Sequence, residues 1–199
     1  MVWWPAGLGD ANLYDVRVTL LKNGAVVDSF RFSHGIRTVE LERTDITDSA
    51  GSGKFCFKVN GENVFIKGTN WVPMDVFHSR DVERIPRAIA LAENLGCNMI
   101  RCWGGNVYEN NLFFELCDQK GIMVWQDFAM ACAVYPRDAA FCQCVENEAR
   151  KVVRRLRQHA CIVLWAGDNE CDMAISWGGK NRGNPNKNAL TKEVIPGVL

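Results

Sequence analysis

The chain has 199 residues, 48% of them hydrophobic, with 23 basic and 23 acidic side chains that cancel to zero formal charge. That composition supports a sizeable buried core in one or two domains. The balanced charge gives no basic excess for nucleic acid and no acidic excess for a cationic partner. No apolar run reaches the roughly 18 residues of a spanning helix, so no membrane partner is expected. Met1-Val2-Trp3-Trp4-Pro5 shows neither a charged n-region nor an apolar h-region. Unless the true start lies upstream, a cytoplasmic location is expected.

Residues 11 to 46 carry a β pattern. Leu13 to Leu20 partly alternates apolar and polar residues, as a strand with one buried face does. Asn23-Gly24 then supplies a hairpin turn, because both residues tolerate positive φ. Ala25 to Phe32 returns, and Ile36 to Glu42 alternates again. This reads as a small antiparallel sandwich or the end of one. Thr47 to Gly53 is small and polar throughout, the composition of a linker.

Beyond the linker the period changes. Phe55 to Val59 and Asn63 to Ile66 flank a second turn at Asn60-Gly61-Glu62, and Val64 to Trp71 reads as a strand. A helix is expected from about Asp81 to Leu95, stopped by Gly96, with Pro86 near its first turn. Asn98 to Trp103 is a strand, Glu109 to Lys120 an amphipathic helix stopped by Gly121, and Ile122 to Asp127 a strand. Asp138 caps a long helix to about Gln158 whose late arginines suit its dipole. The tail at Gly178 to Pro185 is loop-like, and Asn188 to Leu199 is expected as one helix.

Between these helices lies Cys161 to Ala166, an apolar, β-branched run too short for an ordinary helix and bounded by Gly167. It reads as a strand buried on both faces, as in a parallel sheet. Asp168-Asn169-Glu170 follows at once. A carboxylate at the C-terminal mouth of such a strand is where α/β barrels place their chemistry; the competing reading is a solvated acid or helix cap. Four strand–helix repeats argue for a parallel sheet wound one way round. A complete barrel needs eight strands and about 250 residues, whereas about 150 follow the linker. The pattern is that of half a barrel.

The nine cysteines are odd in number and include no CxxC pair or zinc spacing. Cys56, Cys97, Cys102 and Cys161 sit in or beside apolar runs, where free cysteine behaves as a small hydrophobe. Reduced thiols in a cytoplasmic or anaerobic setting are expected, with no metal and no cofactor.

Seven motifs occur in order: Trp3-Trp4-Pro5, Leu13-Tyr14-Asp15, Lys67 to Trp71, Arg101 to Gly105, Trp125 to Phe128, Ala131 to Pro136, and Gly167 to Glu170. Together they resemble the β-mannosidase branch of glycoside hydrolase family two. The resemblance implies an α/β chain: a partial TIM (β/α)8 barrel over 51–199, preceded at 1–50 by part of an immunoglobulin-like β-sandwich. It implies a retaining exo-glycosidase acting on terminal β-D-mannosides, with a carbohydrate as its partner. Such enzymes use a protonated carboxyl and a nucleophilic carboxylate about 5–5.5 Å apart, in environments that keep one protonated.

By this resemblance Glu170 is the acid/base, and no residue matches the nucleophile. Asn169 matches the residue that bonds the sugar 2-hydroxyl; its other reading is a turn-former. Arg101 matches an arginine that keeps the nucleophile ionised, or is a structural ion pair. Trp103 is expected as a wall of the sugar pocket. Trp71 is a second wall or a packed core residue. Asp127 touches substrate or pairs with Arg101, and Asp75 is a further pocket candidate. His78 is expected on a surface loop, His159 on the last carbonyls of its helix, and His34 without a visible partner.

Three positions depart from the family pattern. Asp168 replaces an asparagine and adds a charge beside the acid. His159-Ala160-Cys161 lacks a common proline. Asn106 replaces a frequent third glycine, leaving that loop's shape open. Rival readings are another β-glycosidase (exo-β-glucosaminidase, endo-β-mannosidase, β-galactosidase or β-glucuronidase) and a non-catalytic fragment.

Overall fold

A computed structural model describes residues 1–44, 53–175, 177, 184 and 188–199. Most of the proposed linker and of the loop-like tail lies outside these residues. Three sheets organise the rest.

Strands β1 (Tyr14–Lys22) and β2 (Ala25–His34) form the expected hairpin, with Asn23 and Gly24 at φ 53° and 81°. The alternation predicts one buried face, but the hairpin exposes side chains on both: Val18, Leu20, Val26 and Phe30 are all largely exposed. A sandwich needs a second sheet on that apolar face, and among the described residues none packs there. The next strand, β3 (Val39–Arg43), joins β4 (Phe55–Val59) and β5 (Glu62–Val64) in an antiparallel trio. Residues on both sides of the linker stretch therefore share one sheet.

The third sheet is parallel, in the order β6 (Gly68–Trp71), β7 (Met99–Cys102), β8 (Met123–Asp127), β9 (Ile162–Ala166). The expected strand from Val64 to Trp71 is split instead. Asn98 causes the break: its carboxamide accepts from Lys67 N (2.8 Å) and donates to Phe65 O (2.9 Å), satisfying backbone that a ladder would otherwise claim.

Three helices alternate with these strands: α1 (Asp81–Asn94), α2 (Asn111–Lys120) and α3 (Ala139–Leu156). The carboxamide of Asn110 and the carboxylate of Asp138 accept from the amides of Phe113 and Phe141 and so start α2 and α3. Gly121 ends α2 at φ 67°, where an added Cβ would also meet Ala6 N at 2.8 Å. Pro86 sits in the second turn of α1 rather than the first. It forgoes only the bond to the carbonyl of Val82. The expected helix over 188–199 contracts to a π-helical stretch, Leu190–Val194, with Leu190 and Ile195 buried against α3 and Phe128.

The helices cover one face of the parallel sheet. Ile85, Ile89, Phe113, Phe114, Val152 and Leu156 pack with Ile100, Cys102, Val124 and Ile162. By the two-residue period of a strand, Met99 and Arg101 look the other way. That second face is open, with a cavity of about 670 Å³ lined by Phe55, Phe57, Ile66, Met99 and Trp125 among others.

Candidate active site

The C-terminal ends of the parallel strands gather the polar residues. Asn70 of β6 stands opposite Arg101 of β7, and Arg101 opposite Trp125 of β8. Beyond the strand ends the β8–β9 pairing continues through a parallel bridge between Ala131 and Asn169. Asn169 N donates to Met130 O, and Cys132 N to Asn169 O, each at 2.9 Å. This extension holds Asn169 and Glu170 over the sheet.

Arg101 is the hub. Its guanidinium donates to both oxygens of Asp127 (Nε to Oδ1 3.3 Å, Nη2 to Oδ2 2.6 Å) and to Asn169 Oδ1 (2.9 Å), and lies over the Trp125 ring. Asp127 also accepts from Trp125 Nε1 (2.8 Å) and Gly104 N (3.0 Å). Burial pushes the Asp127 carboxyl above its ordinary pKa, while these donors pull the other way. Of the two readings of Asp127, the structure shows the pair with Arg101.

A cleft of about 410 Å³ opens above this network, lined by Asn70, Val72, Arg101, Trp103, Cys132, Asn169 and Glu170. Glu170 is the only acid among these residues. It is exposed, and its backbone takes the left-handed conformation (φ 60°, ψ 18°) before the short helix α4 (Cys171–Ala174). Left-handed backbone is uncommon for a residue with a Cβ. Here it turns the chain sharply and leaves the carboxyl at the cleft rather than capping α4, to which it makes no side-chain bond. Asp168 takes that part: its Oδ1 accepts from Cys171 N at 3.0 Å, and burial raises its pKa.

Trp103 lines the cleft where the chain turns through Gly104 and Gly105. A Cβ on Gly104 would come within 2.4 Å of Met130 O, and one on Gly105 within 2.1 Å of the Trp103 ring. Asn106 closes this loop by donating its amide to Trp103 O (2.9 Å), which settles the shape its departure from glycine left open.

Several expected residues lie elsewhere. Trp71 pairs in register with Cys102, so it faces the helices; it is 4% exposed, packs against the Phe113 ring at a 53° tilt and donates to Glu109 Oε1 at 2.9 Å. It is a core residue, not a wall of the cleft. Asp75 accepts from Phe77 N (2.8 Å) and pairs with Arg84 (3.0 Å), outside the cleft; the amide first and the arginines next hold its pKa down. His78 does sit exposed, 2.8 Å from Asp81. His159 does not hold helix carbonyls through its ring: Nδ1 lies 2.6 Å from Asp118 Oδ2 of α2. His34 has a partner after all, Gln158 O at 3.0 Å from Nδ1.

Asn70, Val72 and Cys132 also line the cleft. Strand parity with Arg101 marks Asn70 in the sequence; Cys132 arrives only through the Ala131–Asn169 bridge. All nine cysteines are free thiols, with Cys102, Cys117, Cys161 and Cys171 buried. Among the described residues no cluster of His, Cys, Asp or Glu is arranged to hold a metal ion, and no helix is long and apolar enough to cross a membrane.

No family model matches the chain. The β-mannosidase of the goat Capra hircus is 42% identical over 179 residues, covering 88% of this chain and 20% of that protein. The crystal structure of β-D-mannosidase from Dictyoglomus thermophilum superposes with a TM-score of 0.89 at 40% identity, over 99% of this chain and 24% of that one. The exo-chitosanase of Amycolatopsis orientalis shares the fold, with a TM-score of 0.70 at 24% identity over 83% of this chain and 20% of that one. The chain thus spans about a fifth of the length of the curated relatives it matches. On these two mannosidase likenesses the chain belongs to the β-mannosidase branch of glycoside hydrolase family two.

Proposed function

We propose that the whole protein hydrolyses terminal β-D-mannosides with retention, and that Glu170 is its acid/base. The observation that carries this reading is one exposed carboxyl among the described residues that line the cleft at the mouth of the parallel strands, next to an asparagine held by an arginine that pairs with a buried aspartate. Glu170 gives its proton to the glycosidic oxygen as a second carboxylate attacks the anomeric carbon. It then takes a proton from the water that releases the sugar. Asn169, fixed through its oxygen by Arg101 and donating one N–H to Cys132 Sγ, keeps its second N–H for the 2-hydroxyl, and the Trp103 indole offers an apolar wall to the ring.

The second carboxylate belongs, in this reading, to the seventh strand of a complete barrel of which β6 to β9 are the first four. The open apolar face and the unpaired outer edges of β6 and β9 support that assembly. Arg101, whose side chain stays 28% exposed, is placed to keep that carboxylate ionised. The β1–β2 hairpin would then belong to the preceding sandwich, with its apolar face covered by the rest of that domain. Nine free thiols support a reducing compartment such as the cytoplasm.

The test is Glu170→Gln in the full-length protein. Turnover of β-mannosides with poor leaving groups is expected to fall by at least about 100-fold. The first step on a 2,4-dinitrophenyl β-mannoside stays near wild type, and azide restores its turnover. An unchanged rate on the poor leaving groups removes Glu170 from the acid role. A panel of aryl glucosaminides, galactosides and glucuronides, each slower than the mannoside, separates the sugar preferences.

A further inference from the structure

Ala131 to Pro136 enters the family pattern as a motif, but the hydrolytic reading gives its cysteine no part. Cys132 reaches the cleft in left-handed backbone (φ 50°), facing Glu170 (φ 60°) across the β8–β9 extension. Its Sγ lies 3.4 Å from Glu170 Oε2 and accepts from Asn169 Nδ2 at 3.3 Å. The side chains of Asn169 and Glu170, adjacent in sequence, are thereby bridged by one atom. Desolvation first, and then the Glu170 carboxyl, raise the pKa of this thiol, so it remains an S–H donor.

We propose that Cys132 is a positioning residue for the acid/base: its thiol bridges Asn169 and Glu170 and aims the Glu170 carboxyl at the glycosidic oxygen. The inference rests on the glycosidase reading. The bridge works because, among the described residues, Glu170 has no other side-chain hydrogen-bond partner that would fix it. Its carboxyl is exposed and the short α4 does not hold it. A carboxyl free to rotate spends part of its time away from the proton-transfer geometry, and a shift of about 1 Å is costly to such a step. The same sulfur, by accepting from Asn169 Nδ2, orients the amide whose oxygen Arg101 already holds. Cys132 thus couples the sugar-binding amide to the proton donor.

The experiment compares wild type, Cys132→Ala and Cys132→Ser in the full-length protein, with Glu170→Gln as reference. Each is assayed on a methyl β-mannoside, whose departure needs a proton, and in the first step on a 2,4-dinitrophenyl β-mannoside, which does not. Loss of one hydrogen bond predicts a fall of about 3- to 10-fold in kcat on the methyl glycoside for the alanine variant. KM changes little, the dinitrophenyl rate is preserved, and serine, which keeps a donor and acceptor, restores most of the loss. An equal fall on both substrates, or no fall on the methyl glycoside, overturns the positioning role. If wild type itself hydrolyses neither mannoside, it is the glycosidase reading that fails. If Glu170→Gln discriminates between the substrates and Cys132→Ala does not, only this inference fails.

Discussion

The two ends of the parallel sheet carry similar chemistry and put it to opposite uses. At the N-terminal end Asp118 accepts from His159 (2.6 Å) and Cys161 N (2.8 Å), while its carbonyl takes the indole N–H of Trp3 (2.7 Å). At the C-terminal end Asp127 accepts from Arg101, Trp125 and Gly104. Both aspartates are almost wholly buried, and both tie together segments distant in sequence. The difference lies in what surrounds them. Trp3, Phe114 and Leu156 pack around the first network, and a cavity of about 440 Å³ lined by Asp118 and His159 lies between it and the β1–β2 hairpin. The second lies beneath a cleft, and Asn169 and Glu170, held there by the Ala131–Asn169 bridge, line that cleft. Buried networks specify geometry; the first leaves only the buried Nε2 of His159 without a partner among the described residues, whereas the second lies beside an exposed carboxyl, Glu170.

Asp127→Ala attacks the open end and is expected to have the largest effect. It strands a half-buried guanidinium and removes the anchor of Asn169. Losing one partner of such a pair costs about 3–5 kcal/mol of stability. Activity per folded molecule should fall by more than about 100-fold, because the pocket loses its frame. Full-length protein assayed after active-site titration separates the two losses, and intact activity would show that Arg101 needs no partner. Asp118→Ala attacks the closed end. Two buried donors lose their acceptor, for about 3 kcal/mol. Here kcat on an aryl mannoside should not change at a temperature where the variant is folded. A kcat loss comparable to that of Asp127→Ala would erase the distinction between the ends.

Gly105→Ala sharpens the comparison within the cleft. Its Cβ would displace the Trp103 ring, and KM should rise by roughly 3- to 10-fold, the scale of one lost aromatic contact, with kcat nearly kept. A rise in thermal stability with unchanged KM would remove Trp103 from the sugar wall. The smallest effect concerns Glu109, buried beside Trp71, where desolvation raises the carboxyl pKa against the indole N–H. A folded pKa above the unfolded one means that the native state holds the proton more tightly. Its contribution is therefore complete below the unfolded pKa and is lost as pH rises through the folded one. Glu109→Gln should flatten the decline of melting temperature with rising pH above the ordinary carboxylate range. An identical slope in the variant would show that Glu109 does not contribute to it.

Much of the architecture was legible in the chain because its signals are local. Asn23-Gly24, Asn110, Asp138 and Gly121 fix turns and helix ends through their own backbone preferences and short-range bonds. The apolar run from Cys161 followed by Asp168-Asn169-Glu170 located the carboxyl at a strand mouth for the same reason. Strand parity would have placed Trp71 with Cys102 and Asn70 with Arg101; motif likeness left Trp71 between the pocket wall and the core, and its register decides for the core.

What the sequence determined, then, is the order of elements, the family and the identity of the exposed carboxyl. Tertiary structure decided the partners. Asp127 chose Arg101, His159 chose Asp118, β3 chose β4, and Cys132 came within reach of Glu170. The side-chain pairs join residues 26, 41 and 38 positions apart and the β3–β4 partners lie 12 to 20 apart, and no local pattern encodes them. Parallel stacking of strands sets residues of separate repeats side by side at each end of the sheet. That brings Asp127 to Arg101, Cys132 to Glu170 and His159 to Asp118, whereas β3 meets β4 by antiparallel pairing.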